Sequence, residues 1–225
     1  MKLLIGVLLA SLCSFLSFGQ MFYSNGALIS VSSGAIVQVN GGVELAQTTN
    51  LTNNGSVTIT KNSTFPTPGT FKIGTNSTVS GNGFYLVEQD WINNGIFNGG
   101  TSTVTLFGNT QQFITSTNGV STVFNNLILT GTGTGNNRKK TLQGVDATTA
   151  TSGTLQLNSR ELETQTNSFF VKNPAVAAVS YSNTFGAEGF VSSLAPGTLS
   201  RITNFASTYI FPTGSSAGTL RFRPI

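Results

Sequence analysis

Histidine is absent from these 225 residues, cysteine occurs once, and Asp and Glu together number seven. Without imidazole or a second thiol, neither the common zinc sites nor the Ser-His-Asp and Cys-His nucleophile arrangements can be assembled. No metal site or cofactor is expected, and the chain reads as noncatalytic. Charged residues make up only 8% of the sequence, so solubility must come from hydroxyls and amides. The 11 Lys and Arg give a net charge of +4, but they are too scattered to form the dense basic footprint that nucleic acid requires. A nucleic-acid partner is therefore not expected.

Long apolar runs are also missing, except at the start. Lys2 provides a positive end, Leu3 to Leu12 an apolar stretch, and Ser17-Phe18-Gly19 a small-x-small cleavage site before Gln20. Residues 1–19 thus read as a signal peptide, too short to serve as a membrane span, and no second apolar run follows to supply one. The expected location is secreted or on the outer cell surface. Cys13 follows Leu12, whereas lipidation favours a small residue at that place, so the thiol is expected to leave with the leader. Removal of Lys2 lowers the net charge from +4 to +3.

What is abundant is small and polar: 33 Thr, 26 Gly, 25 Ser and 22 Asn make up nearly half of the chain. Branched Thr suits a pleated surface, while Gly and Asn supply the positive-φ positions of tight turns. The 17 Phe and regularly spaced Val, Ile and Leu give such strands apolar surface to bury. Apolar residues alternate at Val37 and Val39, Val57 and Ile59, and Val104 and Leu106, with Asn-Gly or Gly-Gly punctuation between the runs.

A longer repeat is present as well. Leu51-Thr52-Asn53-Asn54-Gly55 matches Trp91-Ile92-Asn93-Asn94-Gly95 at an offset of 40, and Gly42-Val43-Glu44-Leu45 matches Gly83-Phe84-Tyr85-Leu86 at 41. A fixed period of this size predicts a solenoid, with two rungs of about 20 residues per repeat. The fold class expected is all-β: a parallel β-helix or β-solenoid over residues 20–160, then a β-rich C-terminal continuation over 161–225. Like residues in successive rungs are expected to form hydrogen-bonded Asn and Thr ladders. Residues 130–137 and 148–153 read as turns or rung edges. The strand-like ending at 220–225 is abrupt, and the natural polypeptide is expected to continue.

Three groups of side chains are candidates for ligand contact. Glu88 and Asp90 sit two apart on an expected strand and would share a face, as would Glu161 and Glu163; carboxylate pairs are the remaining route to carbohydrate cleavage. Trp91, the only tryptophan, offers either core packing or sugar stacking, and the first is preferred. The run Arg138-Lys139-Lys140 is the one dense positive patch, suited to acidic polysaccharide or lipid headgroups, with a solvated loop the preferred reading. Thr58 and Thr60, with Thr101, Thr103 and Thr105, raise the further alternative of a flat hydroxyl array of the ice-binding kind.

The phrases VSSGAIVQVNGG, DWINNGIFNGGTSTVTLFG with FNNLILTGTG, and the closing LSR, TYIFPTG and FRPI resemble repetitive cell-surface proteins of the Bacteroidetes. That resemblance implies a surface protein of the adhesion or gliding kind, exported by the type IX route through a C-terminal sorting domain, with no catalytic residues to carry over. No sorting domain is visible in this sequence. The resulting expectation is a structural or adhesive surface segment whose partner is polysaccharide or another surface protein. The alternatives are a carbohydrate-binding or carbohydrate-cleaving module and an ice-binding solenoid.

Overall fold

The computed structural model describes residues 21–64, 68–204, 206–216, 221–222 and 224–225. The leader expected over residues 1–19, with Cys13 in it, lies outside the described residues. From residue 22 the chain winds into a three-sided prism. Its first face is an all-parallel sheet of β1 (Phe22–Asn25), β4 (Val43–Ala46), β7 (Phe71–Ile73), β10 (Trp91–Asn93), β13 (Gln112–Thr115), β15 (Lys139–Gln143), β17 (Glu161–Glu163) and β20 (Phe190–Ser192). The second face begins with β2 (Leu28–Val31), β5 (Asn50–Asn53), β8 (Thr78–Ser80) and β11 (Ile96–Asn98). The third contains β3 (Ile36–Asn40), β6 (Ser56–Thr60), β9 (Phe84–Val87), β12 (Thr103–Leu106), β14 (Thr122–Leu129) and β16 (Ala147–Gln156). Each face stacks in parallel because every pass of the chain runs in the same sense around the axis.

β14 and β16 are long because they turn the corner between the second and third faces without breaking. Their pairing slips between Phe124 and Asn126, where β16 bulges. Beyond them, β18 (Ser168–Val171) pairs with the first part of β16 and β19 (Val179–Ser180) with its last part. β21 (Thr198–Arg201) then pairs with β18. Residues 148–153 are thus the bulged middle of a strand and not a separate turn. Parallel pairing also runs through the boundary drawn at residue 160 and continues to Arg201. Eight strands on the first face, at about 4.8 Å each, make a rod of roughly 38 Å.

Alternation decides what faces the axis. In β6, Val57 and Ile59 are buried while Ser56, Thr58 and Thr60 face outward. The interior is a column of stacked side chains. Phe71 and Trp91 occupy register-matched positions on β7 and β10, stacked with ring centroids 4.9 Å apart and planes inclined at 27°. Tyr85, Phe97 and Phe124 close around them at 5.0–6.0 Å from Trp91. No single coil can bury such a strip alone, so the coils depend on their neighbours.

The Asn-Asn-Gly repeats are corners and not coils. Asn53 Oδ1 accepts from the Gly55 N–H at 3.0 Å where the second face turns into the third. Asn93 does the same for Gly95 at 3.2 Å, but where the first face turns into the second. Likewise Val43 lies on the first face and Phe84 on the third. The offset of 40 therefore relates different sides of the prism. The structural period varies: register partners are 20 residues apart at Phe71 and Trp91 and 29 apart at Glu161 and Phe190.

Glycine is required at these corners because the previous coil is so close. A Cβ on Gly95 would lie 2.4 Å from the Ser77 carbonyl oxygen, and one on Gly55 2.4 Å from that of Ala35. Gly95→Ala is expected to cost about 1–3 kcal/mol through forced displacement of the coil below. Thermal melting reads this out, and an unchanged midpoint would contradict the close approach.

Ladders between coils are present but mixed. Asn126 Nδ2 donates to Thr103 Oγ1 at 3.3 Å and its Oδ1 accepts from Thr154 Oγ1 at 2.8 Å, linking three successive coils on the third face. After β21 the chain folds back over the last coil. Val191 N–H donates to the Pro212 carbonyl at 2.7 Å, and β22 (Gly214–Ser215) pairs antiparallel with β23 (Arg221–Phe222).

Candidate functional site

Trp91 is not available to a ligand. It is 0% exposed, and its indole N–H donates to Thr122 Oγ1 at 3.3 Å inside the prism. Glu88 and Asp90 do not sit on a strand. They flank the corner between the third and first faces and serve opposite neighbours. Glu88 accepts from the Lys61 N–H at 2.9 Å in the coil before, with Lys61 Nζ at 3.6 Å. Asp90 accepts from the Phe113 N–H at 2.8 Å in the coil after. Burial pushes the Asp90 carboxyl upward, and that N–H bond draws it partly back.

The other carboxylate pair does share β17, but its members are likewise engaged. Glu163 accepts from Lys139 Nζ at 2.6 Å and Thr141 Oγ1 at 3.0 Å. Glu161 accepts from Ser192 Oγ at 2.5 Å and from Ser216 Oγ. Among the described residues no group of three or more His, Cys, Asp or Glu side chains is placed to hold a metal. The threonine array is interrupted: between the Thr58 and Thr105 strands, β9 presents Phe84 and Leu86 on the same face.

The Arg138-Lys139-Lys140 run is not a surface patch, because alternation sends its members to different sides. Lys139 points outward to Glu163. Lys140 turns inward and is fully buried, in register with Gln112. Its ammonium donates to the Gly108 carbonyl at 2.8 Å and to Gln112 Oε1. Burial, with the charge of Arg160 as a second cause, pushes its pKa down to about 7.

Arg138 is 7% exposed and lies one position before Lys139; Arg160, 8% exposed, lies one position before Glu161. Lys139 and Glu161 are register partners, so the two arginines hold equivalent places in successive coils. Arg138 Nη2 donates to the carbonyls of Ser159, at 2.9 Å, and Glu188. Arg160 Nη1 donates to the Gly133 carbonyl at 2.6 Å, and its Nη2 to Ser159 Oγ at 2.9 Å. No ion pair among the described residues includes either one. Burial lowers both pKa values, and the charge of Arg138 lowers that of Arg160 further.

Together they floor a half-open cleft of about 290 Å³, walled by Gly133, Thr134, Gly135, Ser159, Gly186, Ala187 and Ser216. Every wall segment before Ser216 comes from the third-to-first-face corner of successive coils. That corner also carries the long loops that vary the coil length, which is where a rigid scaffold places recognition residues. Sequence reasoning singled out Arg138 but missed Arg160. The only signal for it was the position before a strand, 22 residues on, which gains meaning once coil length is known.

The chain is a parallel β-solenoid protein, its coils stacked in register on three faces. No family model, curated protein or solved structure matches it. No helix among the described residues is long and apolar enough to cross a membrane.

Proposed function

We propose that the chain is a noncatalytic structural or adhesive segment of a bacterial cell surface, exported by its leader and serving as a stiff spacer with a repeated outer face. The observation that carries this reading is the register itself. Outward positions such as Thr103, Asn126 and Thr154 bond to one another from coil to coil and put hydroxyls and amides on an uncharged outer face, broken at β9 by Phe84 and Leu86. Such a face suits many weak polar contacts. The engagement of Glu88, Asp90, Glu161 and Glu163 with amides, hydroxyls and lysines supports the noncatalytic part. The resemblance to Bacteroidetes surface proteins and the type IX route belong to the same proposal. Protease shaving of intact cells tests it: the protein is expected in the shaved fraction, and release only on lysis would end the surface assignment.

A carbohydrate-binding module is the second reading, favoured by the two-arginine cleft. Glycan-array binding would promote it, and a blank array would dismiss it. Ice binding, the third, is weakened by Phe84 and Leu86 within the threonine face, and thermal hysteresis decides it.

A further inference from the structure

Two guanidinium groups in matching places of adjacent coils repel each other, and a protein that buries them normally supplies a carboxylate to each. Here the nearest carboxylates are otherwise disposed. Glu161 and Glu188 both act on Arg138 through space without pairing with it; Glu161 is held by Ser192 and Ser216, and Glu188 keeps one buried oxygen without a partner. Backbone carbonyls take some of the guanidinium donors, but the Nε atoms of Arg138 and Arg160 have no acceptor. Neither guanidinium thus has a direct carboxylate partner among the described residues, and both line the cleft.

The rim adds a second feature. Phe185 is 98% exposed, immediately before Gly186 in the cleft wall. A phenylalanine held wholly in solvent beside a polar cleft departs from ordinary burial, and an aromatic face next to hydrogen-bonding groups is a platform for a ring with one apolar side. At Gly135 and Gly186 an added methyl group would meet no atom within 4 Å, so the mouth is open at both. The volume lies at the small end of ligand sites.

We infer that this cleft binds an acidic saccharide, its carboxylate or sulfate bridging Arg138 and Arg160 while a sugar ring lies on Phe185. Planar guanidinium groups recognise both kinds of oxyanion by paired N–H bonds. Thr134, Ser159 and Ser216 offer hydroxyls for the sugar. The inference rests on the adhesive reading and gives it a ligand class. Shaving and binding fail separately: surface display without binding removes the cleft assignment and leaves the spacer.

Isothermal titration of the mature chain against three probes tests it: an oligogalacturonate, a sulfated oligosaccharide and a neutral cello-oligosaccharide. Saturable binding of at least one acidic probe is expected, with the neutral one at least about tenfold weaker, and the probe that binds tells carboxylate from sulfate. Thr134→Glu and Phe185→Ala alter exposed side chains, so both should melt like the wild type, yet each should weaken the acidic probe about tenfold. The assignment is overturned if neither acidic probe saturates, if the neutral probe binds as well, or if either folded variant binds as tightly as the wild type.

Discussion

Replacing Trp91 by alanine is expected to destabilise the solenoid by about 3–5 kcal/mol. The ring is fully buried and is the centre of an aromatic cluster with Phe71, Tyr85, Phe97 and Phe124. Its loss opens a void that β-strands tied into three sheets cannot close, and leaves Thr122 Oγ1 without the indole donor. Phe84→Ala is the matched control, because that ring stands outward on the third face and is largely exposed. It should shift stability by no more than about 0.5 kcal/mol. Urea denaturation of both variants checks the pair, and equal losses would mean the inside and outside have been assigned wrongly.

The second large effect is a pH profile. Lys140 titrates at about 7 in the fold, whereas an unfolded lysine titrates near about 10.4. Between those values the unfolded chain holds a proton that the folded chain has given up. Stability is therefore highest above the unfolded pKa and is lost as pH falls toward the folded one. Unfolding free energy should rise by about 3 kcal/mol from pH 7 to 9.5. Above that window Tyr85 acts in the opposite sense, since burial raises its pKa and favours the fold only while the unfolded phenol stays protonated. Lys140→Met removes the titrating group and should flatten the profile. A wild-type curve flat over the same range, measured by denaturation at each pH, would contradict an enclosed ammonium.

Much of this fold is visible in local sequence, and the reason is alternation. Val57 and Ile59, or Val104 and Leu106, declare one buried side of a strand without reference to anything distant. The Asn-Asn-Gly corners are equally local, since each asparagine closes on the glycine two residues later. What local pattern cannot say is which corner is which. A three-sided coil turns three times, and the same motif serves at any turn, so residues 51–55 and 91–95 look like successive repeats while lying on different sides.

The candidate site was less legible because its parts meet only through stacking. Alternation alone separates Lys139 from its neighbours, but nothing in the run Arg138-Lys139-Lys140 tells that Arg160 stands above Arg138. That depends on a coil of 22 residues, between coils of 28 and 29. Trp91 illustrates the opposite case. Its preferred reading as core followed from the apolar position it shares with Leu51, and both are buried, though on different faces.

Spin-label distances along one row of the third face test the stacking most directly. The mature chain expected after leader removal has no native cysteine, so labels go only where they are placed. Gln38, Thr58, Leu86, Thr105, Ile128, Gln156 and Ser180 follow one another through the parallel registers. With one label at Gln38 and the other at Ile128, Gln156 or Ser180, the separations should be about 19, 24 and 29 Å, equal steps of one coil each. Distances that fail to increase in this order, or that jump by much more than a strand spacing, would contradict a parallel solenoid.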